Sequence, residues 1–119
     1  ENYTAHYDLG VLAAMEENWT EAQQQVLSAL RTDSDSAEAH NMLGSIHLRR
    51  GELEHARAEL KDAIHCQPQF VSAHFNMALV LQKEGKKDEA AKELKIALKI
   101  DPQFTAARRE LDSLDNSAR

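Results

Sequence analysis

Residues 37–70 read AEAHNMLGSIHLRRGELEHARAELKDAIHCQPQF, and residues 71–104 repeat them in outline as VSAHFNMALVLQKEGKKDEAAKELKIALKIDPQF. The same order also appears in residues 3–36, and we call the three stretches units one, two and three. Several columns keep one step of 34 residues: His6, His40 and His74; Ala22, Ala56 and Ala90; Ala29, Ala63 and Ala97; and Gly10, Gly44 and Ala78. Because unrelated residue types share this period, composition cannot produce it, and we predict an array of helical repeats.

Turn-forming residues divide each unit into two helical halves. Gly51 and Gly85 lie near the middle of units two and three, where glycine can take the left-handed conformation that ends a helix. Pro68 and Pro102 close the same units, because proline cannot continue a helix. The spacing predicts first helices over residues 3–15, 37–50 and 71–84, and second helices over residues 20–31, 53–66 and 87–100.

Unit one lacks both the central glycine and the closing proline. Its middle carries Glu17 and Asn18. We expect Asn18 to take the left-handed conformation, because asparagine tolerates it better than glutamate does. Residues 20–23, TEAQ, have the form of a capping box for the second helix. Ser34 stands where the other units have proline, and residues 35–38, DSAE, offer an N-cap to the helix that begins unit two.

Residues 105–116 open like the first helix of a fourth unit, but no second helix follows them. Leu111 and Leu114 lie on one side of this segment. The other side suits water, since it carries Arg108, Arg109, Glu110, Asp112 and Asp115. One apolar and one charged face are typical of a terminal cap in a stacked array, so we predict a capping helix.

The columns resemble those of the tetratricopeptide repeat (TPR) family. The family places a leucine-like residue before a small one on the first helix, then alanine, a large residue and alanine on the second, with a closing proline. The matching residues are Leu9, Gly10, Ala22, Val26 and Ala29; Leu43, Gly44, Ala56, Leu60, Ala63 and Pro68; and Met77, Ala78, Ala90, Leu94, Ala97 and Pro102. The resemblance implies an all-α, right-handed α-solenoid of three helix-turn-helix units (about residues 3–36, 37–70 and 71–104) and a capping helix (105–116). We expect residues 1–119 to form a single domain that is a piece of a longer protein.

Small residues between the two helices of a unit allow those helices to pack closely. We expect Gly10, Gly44 and Ala78 to face the helix that carries the first alanine column. No unit has enough apolar surface to form a core alone, so neighbouring units must share one. The residues expected in the shared core are Leu9, Leu43, Val26, Leu60, Leu94, Ile64 and Leu98.

The charge distribution disfavours nucleic acid as a partner. The formal net charge of the chain is −6. Residues 1–36 account for this charge, because they contain seven acidic residues and one basic residue, Arg31. Such a surface repels phosphate groups. Apolar runs are also too short to span a membrane. We therefore expect neither nucleic-acid binding nor direct membrane insertion, and the cellular compartment is left open.

No metal site, cofactor or catalytic centre is expected. Metal ions bind imidazole nitrogens at about 2.1 Å, whereas His6, His40 and His74 lie one unit apart along the stack and cannot share an ion. Cys66, the single cysteine, falls near the end of a helix, where the helix dipole disfavours the thiolate. Glycine-rich phosphate loops, nucleophile elbows and zinc-protease motifs are absent from the sequence. We therefore predict that the chain is not an enzyme.

The resemblance to TPR arrays implies a concave groove lined by the first helices. The groove positions of the family place the following candidate partner-binding residues in this chain: Tyr7, Val11, Asn41, Ser45, Leu48, Arg49, Phe75, Leu79, Gln82, Lys83 and Arg109. We expect the apolar members to anchor a partner and the cations to hold a carboxylate. The alternative is that Tyr7 and Phe75 are half-buried packing residues.

Two specialised versions of the family are not matched. TPR domains that clamp the acidic C-terminal tails of heat-shock chaperones resemble one another in five lysine, asparagine and arginine positions, which here hold Tyr7, Val11, Met42, Ser72 and Asn76. Arrays of the sugar-transferase type carry asparagine at a position that here holds Asp8, Met42 and Asn76. A chaperone-clamp role is therefore disfavoured.

We predict a protein-interaction adaptor that binds an extended or helical segment of another protein in the concave groove. Two alternatives stay open. In the first, the chain self-associates into a homo-oligomer because the groove receives a helix of a second copy, such as residues 105–116. In the second, the chain is the targeting or regulatory region of a larger enzyme.

Overall fold

The computed structural model describes residues 2–117, and this range contains seven α-helices and no strand. The helices are α1 (Tyr3–Met15), α2 (Trp19–Thr32), α3 (Ala37–Arg49), α4 (Leu53–Cys66), α5 (Val71–Lys83), α6 (Lys87–Ile100) and α7 (Thr105–Ser117). Each boundary lies within one residue of the predicted one, which confirms the α-solenoid of three hairpins and a capping helix. The molecule is elongated, with extents of 51 × 25 × 22 Å. Within the described range, no helix is both long and apolar enough to cross a membrane.

The turn inside each unit depends on one residue with a left-handed backbone. Gly51 has φ 77° and Gly85 has φ 79°, as predicted. In unit one this residue is Glu17, with φ 59°, whereas Asn18 has φ −88°. The left-handed prediction for Asn18 is therefore wrong. Asn18 instead caps α2, because its side-chain oxygen accepts a hydrogen bond from the backbone N–H of Glu21 at 3.4 Å. The capping box predicted at residues 20–23 is wrong as well, since α2 has already begun there.

The loops between units prepare the first helix of the next unit. Ser36 caps α3 as predicted, since its hydroxyl oxygen accepts a hydrogen bond from the backbone N–H of Ala39 at 3.0 Å. The same loop position holds Phe70 before α5 and Phe104 before α7, and both rings pack against the apolar core. Apolar packing therefore replaces the polar cap in the later units.

The two helices of a unit pack closely because one partner at their crossing is glycine or alanine. A Cβ atom built on Gly10 would lie 2.6 Å from Cγ2 of Val26, and one built on Gly44 would lie 2.6 Å from Cγ of Leu60. Non-bonded carbon atoms are comfortable only at about 3.5–4.0 Å. Larger side chains at these two positions would therefore force the helices apart, as the sequence predicts.

Three apolar clusters connect each unit with the next and unit three with α7. Leu60 of α4 illustrates the arrangement, because it packs in one cluster with Leu48 of α3 and Met77 of α5. No unit therefore buries its apolar residues alone. Of the predicted core residues, Ile64 packs against the core and the buried ones are Leu43, Val26, Leu60, Leu94 and Leu98.

Leu9 does not belong to the core, so that prediction is wrong. At the equivalent places Leu43 is 1% exposed and Met77 is 5% exposed, whereas Leu9 is 49% exposed. Leu43 packs with residues of α2 and Met77 packs with residues of α4. The burial of this column therefore depends on a second helix that precedes the unit, and no described helix precedes α1.

The seventh helix caps the stack as predicted. Ala107 and Leu111 of α7 are buried against α6. The opposite side of α7 is exposed and carries Arg108, Asp112 and Asp115. This side occupies the place where a further second helix would pack, and its charges prefer water to an apolar contact.

The first helices lie on the inner side of the stack. α1 approaches α3, and α3 approaches α5, more closely than successive second helices approach one another. Shorter separations are expected on the concave side of a curved array. The candidate binding groove is therefore the surface of α1, α3 and α5 that faces away from the second helices.

Candidate protein-binding groove

Five predicted partner-binding residues meet where α3, α5 and α7 adjoin. They line a depression of about 400 Å³, which we call the C-terminal pocket and whose residues are Leu48, Arg49, Leu79, Gln82, Lys83 and Glu110. Leu48 and Leu79 supply its apolar part. Arg49 and Lys83 are exposed cations at its edge. The pocket thus combines an apolar wall with two positive charges and the carboxylate of Glu110.

A second depression of about 290 Å³ lies between α1 and α3, beside the start of α2. We call it the N-terminal pocket, and its residues are Val11, Ala14, Met15, Glu17, Trp19, Met42, Ser45, Ile46 and Arg49. Val11, Ser45 and Arg49 are predicted groove residues. Arg49 lines both pockets, so it lies at the boundary between them.

Tyr7 and Phe75 face other aromatic side chains of the same chain. The ring of Tyr7 stacks on Tyr3 with centroids 5.8 Å apart, and the ring of Phe75 lies 5.0 Å from that of Phe104. Burial raises the pKa of the Tyr7 phenol above its ordinary value of 10.0, and the charge of Glu38 raises it further. Both rings also pack against core clusters. This arrangement favours the alternative in which the two aromatic residues are half-buried packing residues.

Asn41 and Arg109 lie outside both pockets. The side-chain amide of Asn76 donates a hydrogen bond to Oδ1 of Asn41 at 3.0 Å, which links α3 to α5. Arg109 is exposed on α7. Of the predicted groove residues, these two and the two aromatic residues are therefore not part of the pocket surfaces.

The cations of the groove have no anionic partner within residues 2–117. Neither Arg49 nor Lys83 forms an ion pair in this range. Glu110 lies in the same pocket as both cations, but it accepts a hydrogen bond from Nε2 of Gln82 at 3.2 Å. Arg49 and Lys83 are therefore available to a negatively charged group of a partner.

Several pocket residues are not predicted by the sequence. Met42 and Glu110 fall at the sixth position of their units, which none of the predicted groove residues occupies, although Met42 stands at a position of the chaperone clamp. Their apolar and acidic character alone gives no signal. Trp19 enters the N-terminal pocket from the start of α2, where the equivalent residues of the other units are Leu53 and Lys87. Its position in the repeat therefore could not identify it.

Comparison with known protein families identifies the repeats that form this groove. Two family models, both described as tetratricopeptide repeat, match residues 7–70 and residues 71–104. The chain belongs to the tetratricopeptide repeat family. The predicted resemblance is thereby confirmed. No curated protein matches the sequence significantly.

Solved TPR structures share this fold along nearly the whole chain. The Arabidopsis OM64 TPR domain is 18% identical, with a TM-score of 0.90, over 94% of this chain and 93% of that chain. The first TPR of Spaghetti (RPAP3), bound to the HSP90 peptide SRMEEVD, is 16% identical, with a TM-score of 0.92, over 98% and 92%. The TPR2B domain of yeast Sti1, in a pHsp70 complex, is 18% identical, with a TM-score of 0.84, over 94% and 91%. At these identities the likeness shows the fold alone.

The repeated histidines of the TPR units connect the two helices of their own hairpin. Nδ1 of His40 lies 2.8 Å from Oε1 of Glu59, and its Nε2 lies 2.9 Å from the carbonyl oxygen of Ser34 in the preceding loop. In unit three, Nδ1 of His74 lies 2.7 Å from Oε1 of Glu93, and its Nε2 lies 2.8 Å from the carbonyl oxygen of Pro68. In unit one, Nδ1 of His6 lies 2.9 Å from Oε1 of Gln25. Each repeated histidine thus links the two helices of its own unit, and His40 and His74 also contact the preceding loop.

A cluster of metal-ligating residue types also forms at His40. The ligand atoms of His40, Glu59 and Asp62 lie within 4.8 Å of one another. Unit three keeps the histidine–glutamate pair but has Ile96 where Asp62 stands. Because the pair forms there without the third acid, we interpret it as a structural link between helices. The absence of a bound metal stays a prediction.

The stability of the His40–Glu59 link should depend on pH. Burial lowers the pKa of His40, but the hydrogen bonds to Glu59 and Ser34 and the charge of Glu59 together leave it above the ordinary value of 6.5. The link therefore stabilises the fold fully below pH about 6.5, and this contribution is lost as the pH rises through the folded pKa. We therefore expect Glu59→Gln to lower the free energy of unfolding, and to lower it more at about pH 5.5 than at about pH 8.5.

Urea denaturation at the two pH values measures this difference. Glu54→Gln is the matched control, because Glu54 is exposed on the same helix and takes no part in the link. If Glu59→Gln lowers the free energy of unfolding equally at both pH values, the expectation is contradicted.

The reactive side chains of Cys66, His47 and His55 lie outside the two pockets of the groove. Cys66 is exposed, and desolvation together with the carboxylates of Asp35 and Asp62 raises the pKa of its thiol. The rings of His47 and His55 stack with centroids 5.2 Å apart. The hydrogen bond from His47 lowers the pKa of the Glu52 carboxyl. These contacts explain how His47 is accommodated in a buried position.

Proposed function

We propose that this TPR domain binds an extended or helical segment of another protein in its concave groove. The observation that supports this proposal is the C-terminal pocket, where the Leu79 wall adjoins the free cations Arg49 and Lys83. A bound segment would place an apolar side chain against Leu79. It would also place a carboxylate between the two cations, which lie on neighbouring first helices.

The N-terminal pocket extends this surface toward α1. Val11 and Met42 offer a second apolar contact, and the hydroxyl of Ser45 can hydrogen-bond to a peptide backbone. Arg49 belongs to both pockets, so one segment could occupy both while its acidic group stays at Arg49. The proposed ligand therefore has an acidic residue with apolar residues on either side.

The partner is expected to differ from chaperone tails. Two of the similar structures carry chaperone peptides, and one of those peptides is the acidic SRMEEVD. In this chain the positions of the chaperone clamp hold Tyr7, Val11, Met42, Ser72 and Asn76. Val11 and Met42 make the N-terminal pocket apolar where the clamp is polar. We therefore propose a single carboxylate contact at the C-terminal pocket in place of a double clamp.

Reversing the groove charges tests the proposal. A library of random peptides displayed on phage is selected against the wild-type domain, and the affinities of enriched peptides are measured by fluorescence anisotropy. We expect enriched peptides to carry an acidic residue and to lose about tenfold or more in affinity for Arg49→Glu/Lys83→Glu, since two attractive contacts of up to about 1 kcal/mol each become repulsive.

The matched control reverses two exposed lysines on a second helix, Lys95→Glu/Lys99→Glu, which changes the net charge equally. It should leave the affinities unchanged. If the control weakens binding as much as the groove variant, or if no acidic peptides are enriched, the proposed groove is wrong. Tyr7 and Phe75 are avoided in this test because they also pack against the core.

A further inference from the structure

The part of the C-terminal pocket that α7 supplies holds a carboxylate with few hydrogen-bond donors around it. Glu110 is half-buried, and the donor that it meets within residues 2–117 is Nε2 of Gln82, at 3.2 Å. This distance is at the long end of the normal range for an N–H···O bond. No cation in that range forms an ion pair with Glu110. Because a carboxylate can accept about four hydrogen bonds, Glu110 has room for a further donor.

The amide of Gln82 is itself incompletely bonded. Its Oε1 is buried and meets no donor among the residues that the structure describes. Exchanging the amide oxygen and nitrogen would not correct this, because the amide oxygen would then face the carboxylate of Glu110, which supplies no proton. A buried acceptor without a donor costs free energy. The bond between Gln82 and Glu110 is therefore a weak one, which a stronger donor can replace.

The other charged residues of the same pocket have the reverse character. Arg49 and Lys83 can only donate hydrogen bonds, and in the described part of the chain neither has an anionic partner. They lie at the ends of α3 and α5, whereas Glu110 lies on α7, and Leu79 lines the pocket with them. The pocket volume of about 400 Å³ falls in the usual range of ligand sites. One ligand segment can therefore contact the cations, the apolar wall and the carboxylate together.

We propose that the C-terminal pocket selects a segment of a partner protein in which an acidic residue and a lysine or arginine flank an apolar residue. This inference rests on the proposed function of the groove and describes its ligand more narrowly. The acidic residue meets Arg49 and Lys83, the apolar side chain packs on Leu79, and the basic residue replaces Gln82 as the donor to Glu110. Charge-assisted hydrogen bonds are about twice as strong as neutral ones, which favours this exchange. The released amide of Gln82 then turns its Oε1 toward an N–H group of the ligand.

Glu110 also discriminates against segments that carry acidic residues alone. A second carboxylate near the pocket would be repelled by Glu110, and repulsive contacts with wrong ligands contribute to specificity as attractive contacts with the right one do. Glu110 is therefore a specificity-determining residue of the groove, in addition to the two cations.

Peptides selected on the wild-type domain by phage display test this inference. We expect the enriched acidic peptides to carry a lysine or arginine at a recurrent spacing from the acidic residue. Replacing that basic residue with methionine should lower the affinity for the wild-type domain by roughly threefold to tenfold. The same replacement should lower the affinity for Glu110→Gln by less than about twofold, because the contact is already lost there. Fluorescence anisotropy measures both losses, and the first does not depend on the folding of any variant.

A charge exchange gives the reciprocal measurement. Glu110→Lys should bind the original peptide more weakly, and it should prefer the peptide in which glutamate replaces the basic residue. Asp112→Asn is the matched control for Glu110→Gln, because Asp112 is an exposed carboxylate of the same helix that lies outside the pocket. Both substitutions change the net charge equally, but Asp112→Asn should leave every affinity unchanged.

The outcomes separate this inference from the proposed function of the groove. Acidic peptides without a recurrent basic residue would overturn the inference and leave the groove proposal standing. So would equal losses on the wild-type domain and on Glu110→Gln, or a loss for Asp112→Asn as large as that for Glu110→Gln. If no acidic peptides are enriched, the groove proposal itself fails, and this inference fails with it.

Discussion

Replacing Leu60 with alanine should lower the free energy of unfolding by about 2–5 kcal/mol, the range for removing a fully buried leucine. Leu60 has no exposed surface and packs in one cluster with Leu48 and Met77, so a cavity there loosens the contact between units two and three as well as the hairpin itself. Since stacked units stabilise one another, we also expect a broader unfolding transition. Urea denaturation followed by circular dichroism measures both effects.

Leu27→Ala is the matched control for this substitution. Leu27 lies on α2 but is 41% exposed, so the same chemical change should cost little there. A loss of less than about 1 kcal/mol for Leu60→Ala, the typical effect of an arbitrary substitution, would show that the shared core does not hold the units together.

Gly44→Leu should destabilise the domain by about 1–3 kcal/mol through overpacking. Even a Cβ atom at this position would lie 2.6 Å from Cγ and 2.7 Å from Cδ2 of Leu60. Leucine favours helix over glycine by up to about 1 kcal/mol, and the clash must outweigh this gain. The measurement is the urea midpoint, with Ala58→Leu as the control because Ala58 is exposed on α4.

The two substitutions should also compensate each other. Leu60→Ala removes the atoms that a side chain at position 44 would meet, so the double variant should be more stable than the sum of the single effects predicts. Strict additivity would mean that Gly44 is required for a reason other than the close approach of α3 and α4.

The repeat period determines most of this fold, because turns and helix ends follow from local chemistry that each unit carries itself. Gly51 and Gly85 take the predicted conformation since their place in the turn demands a left-handed residue. The same reasoning misplaces the turn of unit one. Glu17 takes the left-handed conformation there because position in the repeat outweighs residue preference, and Asn18 is then free to cap α2.

Burial is less predictable from the repeat, because it depends on the neighbours of a unit. Leu9 has the same place in its unit as Leu43, yet only Leu43 has a helix packed over it. Equivalent residues of successive units are therefore buried where a preceding second helix covers them, and within the described residues no such helix covers Leu9.

Part of the C-terminal pocket follows from the repeat pattern. Arg49 and Lys83 come together because they hold equivalent places on adjacent first helices, and Leu48 and Leu79 lie on the same two helices. Glu110 joins them from the capping helix, whose relation to the groove does not follow from the pattern within one unit. Phe75 meets Phe104 across a loop, a contact that residue spacing alone does not reveal.

The charged outer side of α7 gives the array a direction. Its carboxyl end presents Arg108, Asp112 and Asp115 to water, while its amino end presents leucines. Copies placed head to tail would bring two first-type helices together, one charged and one apolar. Open-ended filaments arise when a surface on one copy complements a different surface on the next. The charged side of α7 and the apolar side of α1 are not complementary in this sense.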